Sequence, residues 1–151
     1  IKKERGTAWI FGNGASASIA SHVALDMTKQ AKLTAKTVSD HSMITAFSND
    51  FGYENWMAKC LDFYSTTNDL VVLISVSGES PSIRRALDYS KAKGMQVVGL
   101  SGREKTNYLN SNCDIGLHVP SHAYNIVENV HSIWLTAIVD CLIGSEIYEV
   151  S

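Results

Sequence analysis

Apolar positions along this chain fall into short unbroken runs, separated by longer stretches that read as helical. Residues 7–12 (TAWIFG) predict a first, short strand, followed by a helix over 17–30. Residues 33–38 mix β-branched and polar side chains and predict a second strand, after which 42–47 and 54–64 read as helical. The run LVVLIS at 70–75 is apolar without a break, as expected of a strand buried on both faces. An amphipathic helix follows over 80–93 and stops at Gly94. Strands at 95–101 and 115–119 and a long apolar helix over 126–143, closed by Gly144, complete the pattern. Strands alternating with helices predict an α/β fold with a parallel sheet covered on both faces. No repeat, low-complexity tract or linker interrupts the chain, so a single domain over 1–151 is expected.

The last helix carries more apolar surface than one sheet can cover. Ile126, Val127, Val130, Ile133, Trp134, Leu135, Ile138, Val139, Leu142 and Ile143 surround much of it, which predicts a homo-oligomer. At 151 residues the chain is long enough to bury a real core. Its net charge of −2 argues against a general nucleic-acid binder, which would show a basic face. No apolar run is expected to reach membrane-spanning length and no signal peptide opens the chain, so a cytoplasmic protein without a membrane partner is expected. Cys60, Cys113 and Cys141 are scattered with no CxxC pair and read as free thiols. Trp9, Trp56 and Trp134 read as packing residues. The chain opens at Ile1 without an initiator Met and runs almost directly into a strand, so a segment upstream is expected.

Two loops carry the candidate chemistry. One is FGNGASAS at 11–18, between the first strand and helix; the other is VLISVSGESPS at 72–82, where a buried strand breaks into four serines. In such sheets ligands sit beyond the carboxyl ends of the strands. A helix N-terminus there offers unpaired N–H groups and the positive end of its dipole, which favours an anion. Ser75, Ser77 and Ser80 add neutral donors, and Pro81 falls in the first turn, where its missing N–H costs nothing. Each loop also has a plainer explanation. Ser80 can be only an N-cap, and Gly12 and Gly14 only a tight turn. Gly12-x-Gly14-x-x-Ala17 also matches a loose dinucleotide fingerprint, with Asp40 placed to take a ribose hydroxyl. That alternative uses one phosphate loop and leaves the serine-rich one unexplained.

The motifs together resemble the sugar isomerase (SIS) domain family, and most closely its bacterial phosphoheptose isomerases. GNGAS at 12–16 is similar to that family's GNGGS, HVALD at 22–26 to its H-x-A-x-E, and SNDFGYE at 48–54 to its N-D-F-G stretch. ISVSGESPS resembles its I-S-T-S-G-N-S segment, KAKGMQVVGLSG the strand before its next loop, and VPSHAYNIVENVH the entry to its last helix. The resemblance implies a three-layer αβα sandwich around a flavodoxin-like five-stranded parallel sheet. It also implies a phosphosugar ligand and a homo-oligomer, a tetramer, with sites near subunit interfaces; against the family, an N-terminal helical segment is expected to be absent from this chain.

By that resemblance Ser16, Ser75, Ser77 and Ser80 would hold the phosphate, with Val76 where the family usually has Thr. Asn13, Asn49, Asp50 and Glu128 would line the sugar pocket. The family moves a proton between C1 and C2 of a ketose phosphate through an enediol, here implying conversion of sedoheptulose 7-phosphate to D-glycero-D-manno-heptose 7-phosphate. Asp26 stands where the family has its catalytic Glu, and His131 is the implied partner on the last helix. The family's mid-helix His is missing, since Trp134, Leu135 and Thr136 occupy its place; His122, near the mouth, is a substitute candidate for an acid. A Zn²⁺ site is implied on His22, Asp26, Glu128 and His131, two helix-borne pairs of carboxylate and imidazole. The plainer alternative leaves Asp26 and Glu128 as solvated helix residues and both histidines in ordinary hydrogen bonds. The departures at Asp26 and Leu135/Thr136 keep a non-catalytic phosphosugar-binding regulator of the same fold as the alternative to an isomerase.

Overall fold

The computed structural model describes residues 6–148; the domain expectation over 1–151 extends past them at both ends. Five strands form one all-parallel sheet: β1 (Ala8–Gly12), β2 (Ala35–Lys36), β3 (Leu70–Ser75), β4 (Gln96–Ser101) and β5 (Ile115–His118). Their order across the sheet is β2-β1-β3-β4-β5. The helices are α1 (Ala15–Lys29), α2 (His41–Phe51), α3 (Trp56–Tyr64), α4 (Pro81–Ala92), α5 (Tyr108–Asn112) and α6 (Tyr124–Ile143).

The three layers follow from the period of two in the strands. Trp9, Phe11, Val71, Leu73 and Val97 point to one face, where Trp56, Met57, Leu61, Ile83 and Leu87 of α3 and α4 cover them. Ala8, Ile10, Val72, Ile74 and Leu100 point to the other, under α1 and α6. Helix α1 meets the sheet through Ala20, Val23, Ala24 and Met27, mostly small side chains at three- and four-residue spacing, which lets its axis sit close. Helix α6 seats Val127, His131, Leu135 and Val139 inward, every fourth residue.

Several expectations need correction. The second strand shrinks from 33–38 to two residues, as befits an edge strand paired on one side. Helix α2 runs to Phe51 instead of ending at 47 and stops at Gly52, whose φ of 86° leaves the helical region; at its start the Asp40 carboxylate accepts from the backbone of Ser42 and Met43. Those bonds and the Ser42 hydroxyl hold the Asp40 carboxyl below the usual carboxylate range. A 3-10 turn, Tyr53–Asn55, separates α2 from α3. Helix α5 had no signal in the apolar pattern; Asn107 nucleates it by accepting from Asn110 N–H at 2.9 Å. Finally, α6 begins at Tyr124, two residues early, and among the described residues it is the one helix long and apolar enough to cross a membrane by length and composition. In this fold it is a layer helix lying on the sheet and α1.

Asp69 ties the start of β1 to the start of β3. Its carboxylate is buried and accepts from Thr7 N–H at 2.8 Å, Trp9 Nε1–H at 3.0 Å and Thr66 N–H at 2.9 Å. Burial opposes its charge, but the donated bonds outweigh burial and hold the carboxyl below its ordinary range. The stabilisation is therefore complete above the unfolded value, about 4, and fades as pH falls through the depressed folded value. Asp69→Ala should cost on the order of 3 kcal/mol by orphaning these donors, and should flatten the acid limb of a urea-midpoint-versus-pH curve. A substitution that leaves the midpoint unchanged at pH 7 contradicts the assignment.

Candidate functional site

Strands β1 and β3 are neighbours, with Gly12 paired to Ile74, yet the chain leaves them toward opposite faces of the sheet. Such a reversal opens a crevice at the carboxyl ends. The two glycine- and serine-bearing loops lie side by side in it. They bound a cavity of about 280 Å³ lined by Asn13, Ser16, Ile74, Ser75, Val76, Ser77, Ser80, Tyr124 and Glu128. A larger groove, about 550 Å³, runs along β2 between α1 and Tyr64. Its lining is mainly apolar (Trp9, Ala24, Leu25, Val38, Met43) and brings no array of donors together, so it is not the site of the expected chemistry.

The serines are wired in a common way. Ser75 Oγ accepts from Gly78 N–H at 3.1 Å, and Ser77 Oγ accepts from Glu79 N–H at 3.2 Å. Asn13 Nδ2 donates to Ser80 Oγ at 3.1 Å and to Ser82 Oγ at 3.0 Å, and Tyr53 Oη donates to Asn13 Oδ1 at 3.1 Å. Each of these three cavity hydroxyls thus has its oxygen occupied by an N–H; the protons of Ser75 and Ser77 are left free to donate into the cavity, while Ser80 Oγ also lies 3.4 Å from Ser82 Oγ, where either hydroxyl can donate. Ser80 occupies the N-cap position of α4 but makes no side-chain capping bond, so the N-terminal N–H groups of a 12-residue helix also remain available. The result is an anion cradle built from neutral donors and a helix dipole. No basic side chain lines it, and Glu128 is its one ionisable carboxylate. Gly14, with φ of 57°, makes the turn into α1 in a conformation that disfavours larger residues. Val76 is buried against Val119 and Val127, which explains an apolar side chain at that point in a loop of hydroxyls.

The expected residues divide into two groups. Asn13, Ser16, Ser75, Ser77, Ser80 and Glu128 meet in the cavity. The others do not line it. Asn49 and Asp50 fall on the last turn of α2, exposed, with Asn49 Nδ2 donating to Asp50 Oδ1 at 2.9 Å. His22 and Asp26 form a pair on α1, Nε2 to Oδ2 at 2.8 Å, and Asp26 lies about 15 Å beyond Ser16 along the helix at 1.5 Å per residue. His131 is fully buried; its Nε2–H donates to the Ser101 carbonyl at 3.1 Å, its Nδ1 has no partner, and burial pushes its pKa down so the ring is neutral. His122 pairs with Glu104 at 3.2 Å beside the neighbouring depression that Ser77 and Arg103 line. Among the described residues no three His, Cys, Asp or Glu side chains lie close enough to hold a metal ion. The implied Zn²⁺ ligands therefore do not fit together within one chain.

Sequence reasoning passed over Tyr124, which lines the cavity, and Tyr53, which orders Asn13. Tyr124 was obscured because α6 starts earlier than its aliphatic run. The burial of His131 did have a signal: it sits four residues from Val127 and four from Leu135, on the stripe that faces the sheet.

Comparison with known proteins follows from this geometry. The family model for the SIS domain matches residues 2–102. A phosphoheptose isomerase of Helicobacter pylori (strain HPAG1) is 33% identical over 146 residues, covering 93% of this chain and 76% of that protein. Among solved structures, a phosphoheptose isomerase from Neisseria gonorrhoeae superposes with a TM-score of 0.87 at 29% identity, covering 93% of this chain and 78% of the other. One from Francisella tularensis gives 0.87 at 26% identity, covering 95% and 79%.

Removing one cradle hydroxyl tests the wiring. Ser77→Ala should weaken inorganic phosphate binding roughly tenfold, measured by titration calorimetry, because a hydrogen bond to a charged group is lost. The loss should persist at raised salt, since no exposed ion pair is involved. Unchanged affinity rules Ser77 out as a donor.

Proposed function

The chain belongs to the SIS domain family, and from that premise we propose that it is a phosphoheptose isomerase, interconverting sedoheptulose 7-phosphate and D-glycero-D-manno-heptose 7-phosphate. The observation that carries the proposal is the convergence of Ser75, Ser77 and Ser80 on one cavity at the crevice between β1 and β3. In this reading the seryl protons and the α4 N-terminus hold the phosphate and fix one end of the sugar. A base then removes a proton from C1, giving an enediol; protonation at C2 and transfer of a proton between the two oxygens give the aldose. Fixing the phosphate makes the placement of the base decisive, because a misplacement of about 1 Å can cost around a hundredfold in rate.

We assign the base to Asp26. It does not line the cavity of its own chain, so it must act on a sugar held by a neighbouring copy. Support comes from the outer faces of α1 and α6, where Leu25 is 61% exposed, Ile126 57% and Ile133 63%. Apolar surface of that size on adjacent helices fits burial in a homo-oligomer, for which the resemblance suggests a tetramer. Among the described residues of one chain His22, Asp26, Glu128 and His131 do not assemble a metal site, and no step is assigned to a metal. A second reading, a phosphosugar-binding regulator, has one observation in its favour. Trp134, Leu135 and Thr136 stand where the resemblance places a mid-helix His, and the Thr136 hydroxyl turns back to the Ser132 carbonyl at 2.9 Å.

Turnover separates the two. The wild type should convert sedoheptulose 7-phosphate. Asp26→Ala should abolish kcat while leaving sugar-phosphate affinity nearly intact, and Asp26→Glu, which lengthens the side chain, should match or exceed the wild type. A wild type that binds the sugar phosphate but does not turn it over, with or without added Zn²⁺, overturns the isomerase and leaves the regulator. Sedimentation should show an oligomer at micromolar concentration, and a monomer there removes the shared-site assignment of Asp26.

A further inference from the structure

Glu79 sits between Ser77 and Ser80, where a carboxylate should repel the anion that the loop is built to hold. The structure turns it away. Glu79 does not line the cavity. Its Oε1 accepts the backbone N–H of Tyr108 at 2.7 Å, and its Oε2 accepts from Arg84 Nη1 at 3.4 Å. The Arg84 guanidinium in turn lies over the Tyr108 ring, 4.1 Å from its centroid. The carboxylate is thus both neutralised and pinned to the start of α5.

The same loop is fastened to the 102–109 segment at two further points. Gly102 N–H donates to the Val76 carbonyl at 2.9 Å, and Leu109 N–H donates to the Gly78 carbonyl at 3.0 Å. Gly78, at φ of 66°, packs so closely on Asn107 that an added Cβ would collide with it. Those two ties are backbone bonds and hold the first half of the loop. The Glu79 tie is the side-chain one, and it bears directly on the cradle, because the backbone N–H of Glu79 is the group that occupies Ser77 Oγ. If Glu79 shifts, that N–H shifts with it, and Ser77 is free to turn its proton away from the cavity.

We propose that Glu79 is a positioning residue for phosphate binding: its bond to Tyr108 N–H sets the orientation of Ser77, while Arg84 cancels its charge. This rests on the phosphosugar reading above. Side chains about half exposed, as these are (51% and 46%), contribute little to global stability as an ion pair, so the effect should fall on ligand affinity and not on melting.

The experiment measures Kd for inorganic phosphate and for sedoheptulose 7-phosphate by calorimetry on the full chain, with thermal melting alongside. Glu79→Ala should weaken both ligands about tenfold with little change in Tm. Glu79→Gln keeps an acceptor for Tyr108 N–H without the charge and should recover an affinity at or above that of the wild type. Arg84→Ala should weaken both ligands, more at low than at high ionic strength, because it exposes the Glu79 charge. Binding by Glu79→Ala as tight as wild type, or a Gln variant as weak as Ala, overturns this inference alone. A wild type that binds neither ligand removes the phosphosugar reading as well.

Discussion

The site depends on one register: Gly12 of β1 lies directly beside Ile74 of β3. Parallel pairing brings the two carboxyl ends level, and the helices that follow depart to opposite faces. That reversal leaves a crevice at the carboxyl ends, lined by the two loops together with Ile74 and Ser75 of β3. The alternation of core side chains within each strand holds this register, since a slip of one residue would send Trp9 and Phe11 to the face packed by α1 and α6. Asp69 locks the other end of the same strand pair through Thr7 and Trp9.

From that constraint follows an unusual electrostatic arrangement. The cradle carries no Lys or Arg, and its ionisable group is acidic. In the proposed reading, binding would come from oriented neutral donors, and an N–H held on each oxygen biases the hydroxyl to turn its proton outward. Each serine is therefore useful because of the N–H that holds it: Gly78 for Ser75, Glu79 for Ser77, Asn13 for Ser80. The loop is stiffened by bonds to the 102–109 segment, so little ordering remains to be done when the anion arrives.

Much of this was legible in the sequence, unevenly. LVVLIS at 70–75 appears as a strand at the predicted bounds because nothing but burial on both faces explains an unbroken apolar run. The pairing of the glycine and serine loops was also readable, from strand order rules and small residues at two helix starts. Asn49 and Asp50 were less so: their motif was visible, but α2 does not stop until Gly52 turns to positive φ, which leaves both on its last turn. Helix α5 depends on one Asn side chain and contributes a single buried leucine, Leu109, too little to mark an apolar period. Helix α6 passes for a membrane span by length and composition, although no apolar run of that length was expected, and four of its residues face the core.

The most direct test is a crystal structure of the protein with sedoheptulose 7-phosphate bound. The account predicts the phosphate between the two loops, with Ser75, Ser77 and Ser80 Oγ within about 3 Å of its oxygens. It further predicts the sugar end near a carboxylate from a second copy. A phosphate found elsewhere, such as in the apolar groove along β2, would contradict it.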